Sequence, residues 1–121
     1  MERTHFIEHR GVRILLLDFS HIMDEHLALG AIAEAKAVVA EQDHGSVLTL
    51  TNVEGSHFDS TVVSALRDLA EHNRPFVRAA AVVGLSGLMR VVFTTLIHLT
   101  GRNIRAFDGI DEAKDYLAAA T

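Results

Sequence analysis

The hydrophobic and polar positions along the chain follow two different periods, and each period predicts a different element. Short apolar runs rich in β-branched residues predict buried strands over residues 4–8, 12–19, 47–51, 79–83 and 103–107. Apolar residues at three- and four-residue spacing predict helices over about 24–42, 60–73 and 88–100, with a last helix from about 110 through 117. The predicted order is therefore β-β-α-β-α-β-α-β-α.

This order predicts the fold class. Gly11 ends a turn that joins the first two strands, so we expect them to form an antiparallel hairpin. Strands and helices then alternate regularly, which favours parallel strands with right-handed crossovers. We expect a single α/β domain over residues 1–121. Its sheet would be mostly parallel, with about five strands, an N-terminal antiparallel hairpin and about four helices.

The stretch over residues 46–67 combines a strand, a polar turn and the start of a helix. Two assignments of the helix start are open. Ser56 and Asp59 have the spacing of a capping box, and Asp59 could also be the N-cap of a helix that begins at Ser60. Both assignments place Asp59, Ser60 and Thr61 at a helix N-terminus after the carboxyl end of a strand. Open α/β folds bind ligands at this edge of the sheet.

Composition limits the classes of partner. The net charge is −5 and no run of Lys or Arg occurs, which argues against nucleic acid as a partner. Cysteine is absent, so disulfides are excluded, as suits a reducing cytoplasm. No signal sequence and no apolar stretch long enough for a membrane span is visible. The expectation is a soluble cytoplasmic protein.

The residues that could carry chemistry form no recognised constellation. Eight histidines are scattered without the spacing of a metal site, so we expect no metal and no cofactor. Ser60 and Ser86 lack the Gly-x-Ser-x-Gly pattern of an activated nucleophile, which argues against an enzyme. The turn from Gly84 to Gly87 could offer backbone N–H groups to an anion. It lacks a Walker lysine, however, and a plain turn is the commoner case.

The helix over 88–100 is apolar over an unusually wide face. Its main stripe is sufficient to cover a sheet, and Val91, Phe93 and Ile97 lie outside the centre of that stripe. Two interpretations remain open. The helix is either deeply packed, or it forms a homodimer or partner surface or the wall of an apolar pocket.

The residues Phe58-Asp59-Ser60-Thr61 resemble the motif of STAS domains, the modules of sulfate transporters and anti-sigma-factor antagonists. That family carries Asp-Ser-Ser/Thr-Gly at the start of its second main helix. The region 82–107 is also similar, with a strand, a turn, a helix containing Arg90 and Phe93, then Gly101 and a strand. The likeness covers nearly the whole chain in element order. It is closer still to the bacterial SpoIIAA-like group, which is often described as STAS- and CRAL-TRIO-like.

The resemblance implies a role for the motif. In the antagonists, a partner kinase phosphorylates the serine after the Asp, and the added charge breaks the complex. That role would fall on Ser60, with Asp59 orienting the turn and Thr61 beside it. The sequence departs from the pattern at Val62, which replaces the family glycine. We expect its β-branched bulk to hinder the close approach of a kinase.

Two functions follow from these observations. The first is a non-enzymatic regulatory module that binds a protein partner through the turns at the carboxyl ends of the strands, including Gly84 and Ser86. The second, implied by the CRAL-TRIO likeness, is a carrier of a small apolar or lipid-like ligand. The candidate residues of that surface are Met23, Phe58, Val91, Phe93 and Ile97. A cavity between the last helices and the sheet would favour the carrier, whereas a solid surface would favour the protein partner.

Overall fold

The computed structural model describes residues 2–100 and 104–120, with the backbone alone at residue 88 and residues 96–100. Its elements are β1 (Thr4–His9), β2 (Val12–Asp18), α1 (Glu25–Ala40), β3 (Val47–Asn52), α2 (Ser60–Asn73), β4 (Val77–Val83), α3 (Gly87–Thr100), β5 (Ile104–Phe107) and α4 (Ile110–Ala119). Their order is the predicted one. The predicted start of the last strand at Asn103 lies outside the described residues, as does the predicted helix stop at Gly101.

The five strands form one sheet in the order β1-β2-β3-β4-β5. β1 runs antiparallel to β2, and the remaining neighbours are parallel. The β1–β2 turn has Arg10 at φ 53° and Gly11 at φ 75°, the left-handed pair that matches the twist of a two-residue hairpin. The predicted fold class is confirmed, including the N-terminal hairpin and the four helices.

The first three helices pack on one face of the sheet, which we call the front face. Each parallel strand lies beside the one before it, so every crossover moves in the same direction and places its helix on the same side. The front core joins Leu15 and Leu17 of β2 to Ala35 of α1 and Leu66 of α2, with Phe93 of α3 packed against it. Alternate strand residues thus point into this core because successive side chains of a strand face opposite ways.

The opposite, back face is covered by α4. Strand residues such as Ile14, Leu50 and Ala81 form a second core with Ala113 and Leu117 of that helix, and all five are fully buried. The central strands are therefore buried on both faces, which explains why their sequences read as continuous apolar runs.

Two polar contacts fix α4 across the sheet. The His9 side chain lies 2.8 Å from Asp115 Oδ1, and the Arg10 guanidinium lies 3.3 Å from the same oxygen. On the other side of the helix, the Arg105 guanidinium lies 5.5 Å from the ring centre of Tyr116. Across the described ranges, no helix has both the length and the apolar character that crossing a membrane requires.

Candidate functional site

Two loops at the carboxyl ends of β2 and β3 are fastened to each other by one hydroxyl group. Ser56 Oγ donates a hydrogen bond to the Phe19 carbonyl and accepts one from the Ile22 N–H at 2.8 Å. Backbone bonds add to this contact, because His21 N–H donates to the Glu54 carbonyl at 2.8 Å. The capping-box assignment of Ser56 is therefore wrong, since its hydroxyl is bonded to the preceding loop and not to α2.

Asp59 is the N-cap of α2. Its Oδ1 accepts a hydrogen bond from the Val62 N–H at 2.9 Å, which satisfies one of the free donors of the first turn. Ser60 and Thr61 follow as exposed residues of that turn. Val62 is only 2% exposed and belongs to the front core. The expectation that its bulk hinders approach to Ser60 is wrong, because its methyl groups point into the protein.

The turn after β4 approaches the second loop closely at Gly84. This residue has φ +88°, and a Cβ atom built on it would lie 2.4 Å from the Glu54 backbone nitrogen. Leu85 is buried, and Ser86 is exposed before α3 begins. The Arg90 guanidinium of α3 lies 3.0 Å from Asp108 Oδ1, which ties the start of α3 to the loop after β5. The three loops and α3 thus form one connected edge of the sheet.

An apolar cavity of about 90 Å³ lies on the front face and is partly open to solvent. Its walls come from β2 to β5, α2 and α3. They include Phe19, Leu66, Ala70, Ala80, Val82 and Phe93. Ala70 of α2 and Ala80 of β4 occupy inward positions with only one methyl group each, where larger residues would fill the space between helix and strand. The cavity is the gap left by these small side chains beneath the half-buried ring of Phe93.

Comparisons with known proteins address the fold. No protein-family model matches the sequence, and no curated protein is significantly similar to it. Among solved structures, the chain is similar to an uncharacterised protein of the DUF3478 family from Shewanella loihica PV-4, described as having a SpoIIAA-like fold. The TM-score is 0.74 at 10% sequence identity, over 94% of this chain and 91% of that chain. The chain has a SpoIIAA-like fold. The resemblance inferred from the sequence is confirmed at the level of the fold.

The fold separates the residues that the sequence suggested for an apolar-ligand or partner surface. Phe93 lines the cavity. Met23, in the loop between β2 and α1, is 73% exposed, and Val91 of α3 is 62% exposed. Phe58 is half-buried against the front core. Ile97 lies in α3, but its side chain is outside the described residues. The structure therefore brings one of these residues, Phe93, to the cavity, and it places Met23 and Val91 in solvent.

Sequence reasoning missed the other walls of the cavity and the role of Ser56. The cavity walls come from six elements that are distant in sequence, so no local motif marks them. The available signal was the pair of alanines, Ala70 and Ala80, at positions that face the core. Among the residues that the structure describes, no group of three or more His, Asp or Glu side chains could hold a metal ion.

Proposed function

We propose that this SpoIIAA-like domain is a non-enzymatic, cytoplasmic binding module that holds a small apolar ligand between α2, α3 and the sheet. The observation that carries the proposal is the apolar cavity of about 90 Å³. Helices and sheets in protein interiors are closely packed, so an apolar space of this size that opens to solvent can admit a small apolar molecule.

The size of the cavity limits the ligand. An engineered apolar cavity of about 150 Å³ binds benzene, which has six carbon atoms. By simple proportion, this cavity would hold about four carbon atoms, and its open side allows a longer molecule to extend into solvent. Phe93 would cover the bound chain from α3, while Val82 and Ala80 would contact it from the sheet.

The proposal is tested by titrating the domain with pentan-1-ol while backbone amide shifts are recorded by NMR. We expect saturable shifts centred on Ala80 and Val82. Ala80→Leu would place three further carbon atoms in the cavity and should abolish saturation. Phe93→Ala, which removes one wall, should weaken binding several-fold. Val91→Ala is the matched control on the same helix, because Val91 is exposed and does not line the cavity.

The outcome that contradicts the proposal is a weak, non-saturating response spread over exposed apolar residues such as Met23. An unchanged response in both Ala80→Leu and Phe93→Ala would contradict it equally. Phe93→Ala is included because Ala80→Leu adds bulk to a core position and costs stability if the cavity does not accept it.

A protein partner that binds at the N-terminus of α2 is the second candidate function, with phosphorylation of Ser60 as its switch. The observation that favours it is the exposure of Ser60 beside the occupied cap of Asp59. A phosphoryl group would add about −1.5 to −2 charges at a helix N-terminus, where the dipole and free N–H groups favour it. Asp59 and Glu54 would oppose it. The modified domain should therefore stay folded and change its binding.

The second candidate is tested with wild type, Ser60→Ala and Ser60→Glu as baits in a cell extract. Ser64→Glu is the matched control, because Ser64 is also exposed but lies in the next turn of α2. We expect Ser60→Glu alone to lose a protein that the other three recover. Recovery of the same proteins in the same amounts by all four baits would show that Ser60 is a helix-start residue and not a switch.

A further inference from the structure

Arg67 is a positively charged residue that lines the cavity. It is an exposed residue of α2. Within the described residues, no carboxylate lies within ion-pair distance of its guanidinium. Glu71 is four residues further along the same helix, the spacing at which an ion pair commonly forms, but the two are not paired. The charge is therefore free to bind an anion.

The net charge of the protein bears on which kind of ligand Arg67 would bind. The protein carries a net charge of −5, so its field as a whole repels anionic ligands. An anion that enters the cavity needs a local positive group, and Arg67 supplies one with a planar pair of donors that matches a carboxylate. The aliphatic part of an arginine can cover apolar surface. That packing explains its contact with the cavity wall but gives the guanidinium no partner.

Asn73 adds a polar side chain to the lining of the same cavity. It is 6% exposed, and its Oδ1 lies 2.9 Å from His72 Nδ1. In the described part of the chain, Thr4 Oγ1 is the buried side-chain atom without a hydrogen-bond partner, so Asn73 leaves no buried polar atom unsatisfied. Its amide would add a polar contact for a ligand, and the assignment of an anion depends on Arg67.

We propose that the cavity binds a short aliphatic carboxylate, with its apolar chain between Phe93 and the sheet and its carboxylate paired with Arg67. This inference rests on the proposed function and names its ligand class. The chain would have about four carbon atoms beyond the carboxylate, from the proportion given above. Pentanoate fits this description, and pentan-1-ol has the same chain without the charge.

The test compares pentanoate with pentan-1-ol by NMR titration at pH 7 and low salt. We expect wild type to bind pentanoate more tightly by up to about fivefold, as an ion pair with an exposed arginine would give. Arg67→Met keeps the apolar stem and should make the two affinities equal. Arg67→Lys keeps the charge and should retain part of the preference. Arg74→Met is the matched control, since Arg74 is the exposed C-cap of the same helix and does not line the cavity.

The outcomes separate the two proposals. If wild type binds neither compound, both the proposed function and the carboxylate are wrong. If pentan-1-ol binds in the cavity and pentanoate binds no more tightly, the proposed function stands and the carboxylate is wrong. Equal loss of the preference in Arg67→Met and Arg74→Met would also overturn the inference, because it would show an effect of overall charge rather than of Arg67.

Discussion

Replacing Asp59 by alanine tests the helix start on which the candidate switch depends. The substitution removes the hydrogen bond from Val62 N–H to Asp59 Oδ1 and leaves that donor without its partner. Loss of an N-cap side chain costs about 1 kcal/mol, and the lost charge at the positive end of the helix dipole adds about 0.3–1 kcal/mol. Unfolding entropy is about 2.1 cal/mol/K per residue, so for 121 residues each kcal/mol lowers Tm by about 4 °C. We expect a loss of about 5–8 °C.

The assay is thermal and urea unfolding of wild type, Asp59→Ala and Asp59→Asn. Asparagine keeps the capping oxygen without the charge, so it should lose only the dipole contribution, about 1–4 °C. Asp24→Ala is a parallel case, because Asp24 Oδ2 accepts from Leu27 N–H at 2.9 Å as the N-cap of α1. A midpoint for Asp59→Ala within error of wild type would refute the reasoning. Equal losses in Asp59→Ala and Asp59→Asn would assign the effect to charge alone.

Two further predictions concern the backbone and the C-terminal helix. Gly84→Ala should destabilise the domain by more than about 1 kcal/mol in urea unfolding, because its φ is +88° and its Cβ would strike the Glu54 backbone. Gly30→Ala, a helical position with open space around the new Cβ, should be neutral or stabilising by up to about 1 kcal/mol, and the reverse order would contradict the argument. The hydrogen bond from His9 is the main cause that holds the pKa of the Asp115 carboxyl below its ordinary value, so the stabilisation is present at neutral pH and is lost as pH falls through the lowered pKa. His9→Ala should raise the pKa of Asp115 towards its ordinary value in a carboxyl NMR titration, and an unchanged pKa would remove His9 as the cause.

The fold could be predicted because its determinants are local. Strand and helix periods differ along the sequence, and Gly11 marked the hairpin turn that the structure contains. Asp59 could be recognised as a candidate cap from its position alone. Ser56 could not be assigned, because the alternative partners of its hydroxyl lie 34 and 37 residues away in the preceding loop. Local patterns favour local bonds, whereas here a long-range contact is the one that forms.

The site was harder to predict because it depends on what neighbouring elements leave empty. The width of the apolar face of α3 pointed to an interface or a pocket wall, and Phe93 does line the cavity. Arg67 has the same local pattern as any solvent-facing residue of a helix. It lines the cavity because α3 lies over the sheet beside α2, and no local pattern predicts that arrangement. The side chains of Ala70 and Ala80 indicate space only when both are known to line the same cavity.

The sequential strand order also affects where a ligand can bind. Doubly wound folds open a crevice at the edge of the sheet where neighbouring helices lie on opposite faces. Here the three crossover helices share the front face, and the loops at the carboxyl ends are fastened together through Ser56 and Gly84. Space for a ligand is found beneath the helices instead, between α2, α3 and the sheet.

The position of α4 has a consequence for synthesis on the ribosome. The four central and N-terminal strands are complete once Val83 has been made, but the helix that covers their back face ends at Ala119, 36 residues later (119 − 83). At about 5–20 residues per second, translation of these 36 residues takes roughly 2–7 s. During it, the nascent sheet presents Ile14, Leu50 and Ala81 to water or to a chaperone. Until α4 is made, the nascent chain therefore lacks the helix that buries the back face of its sheet.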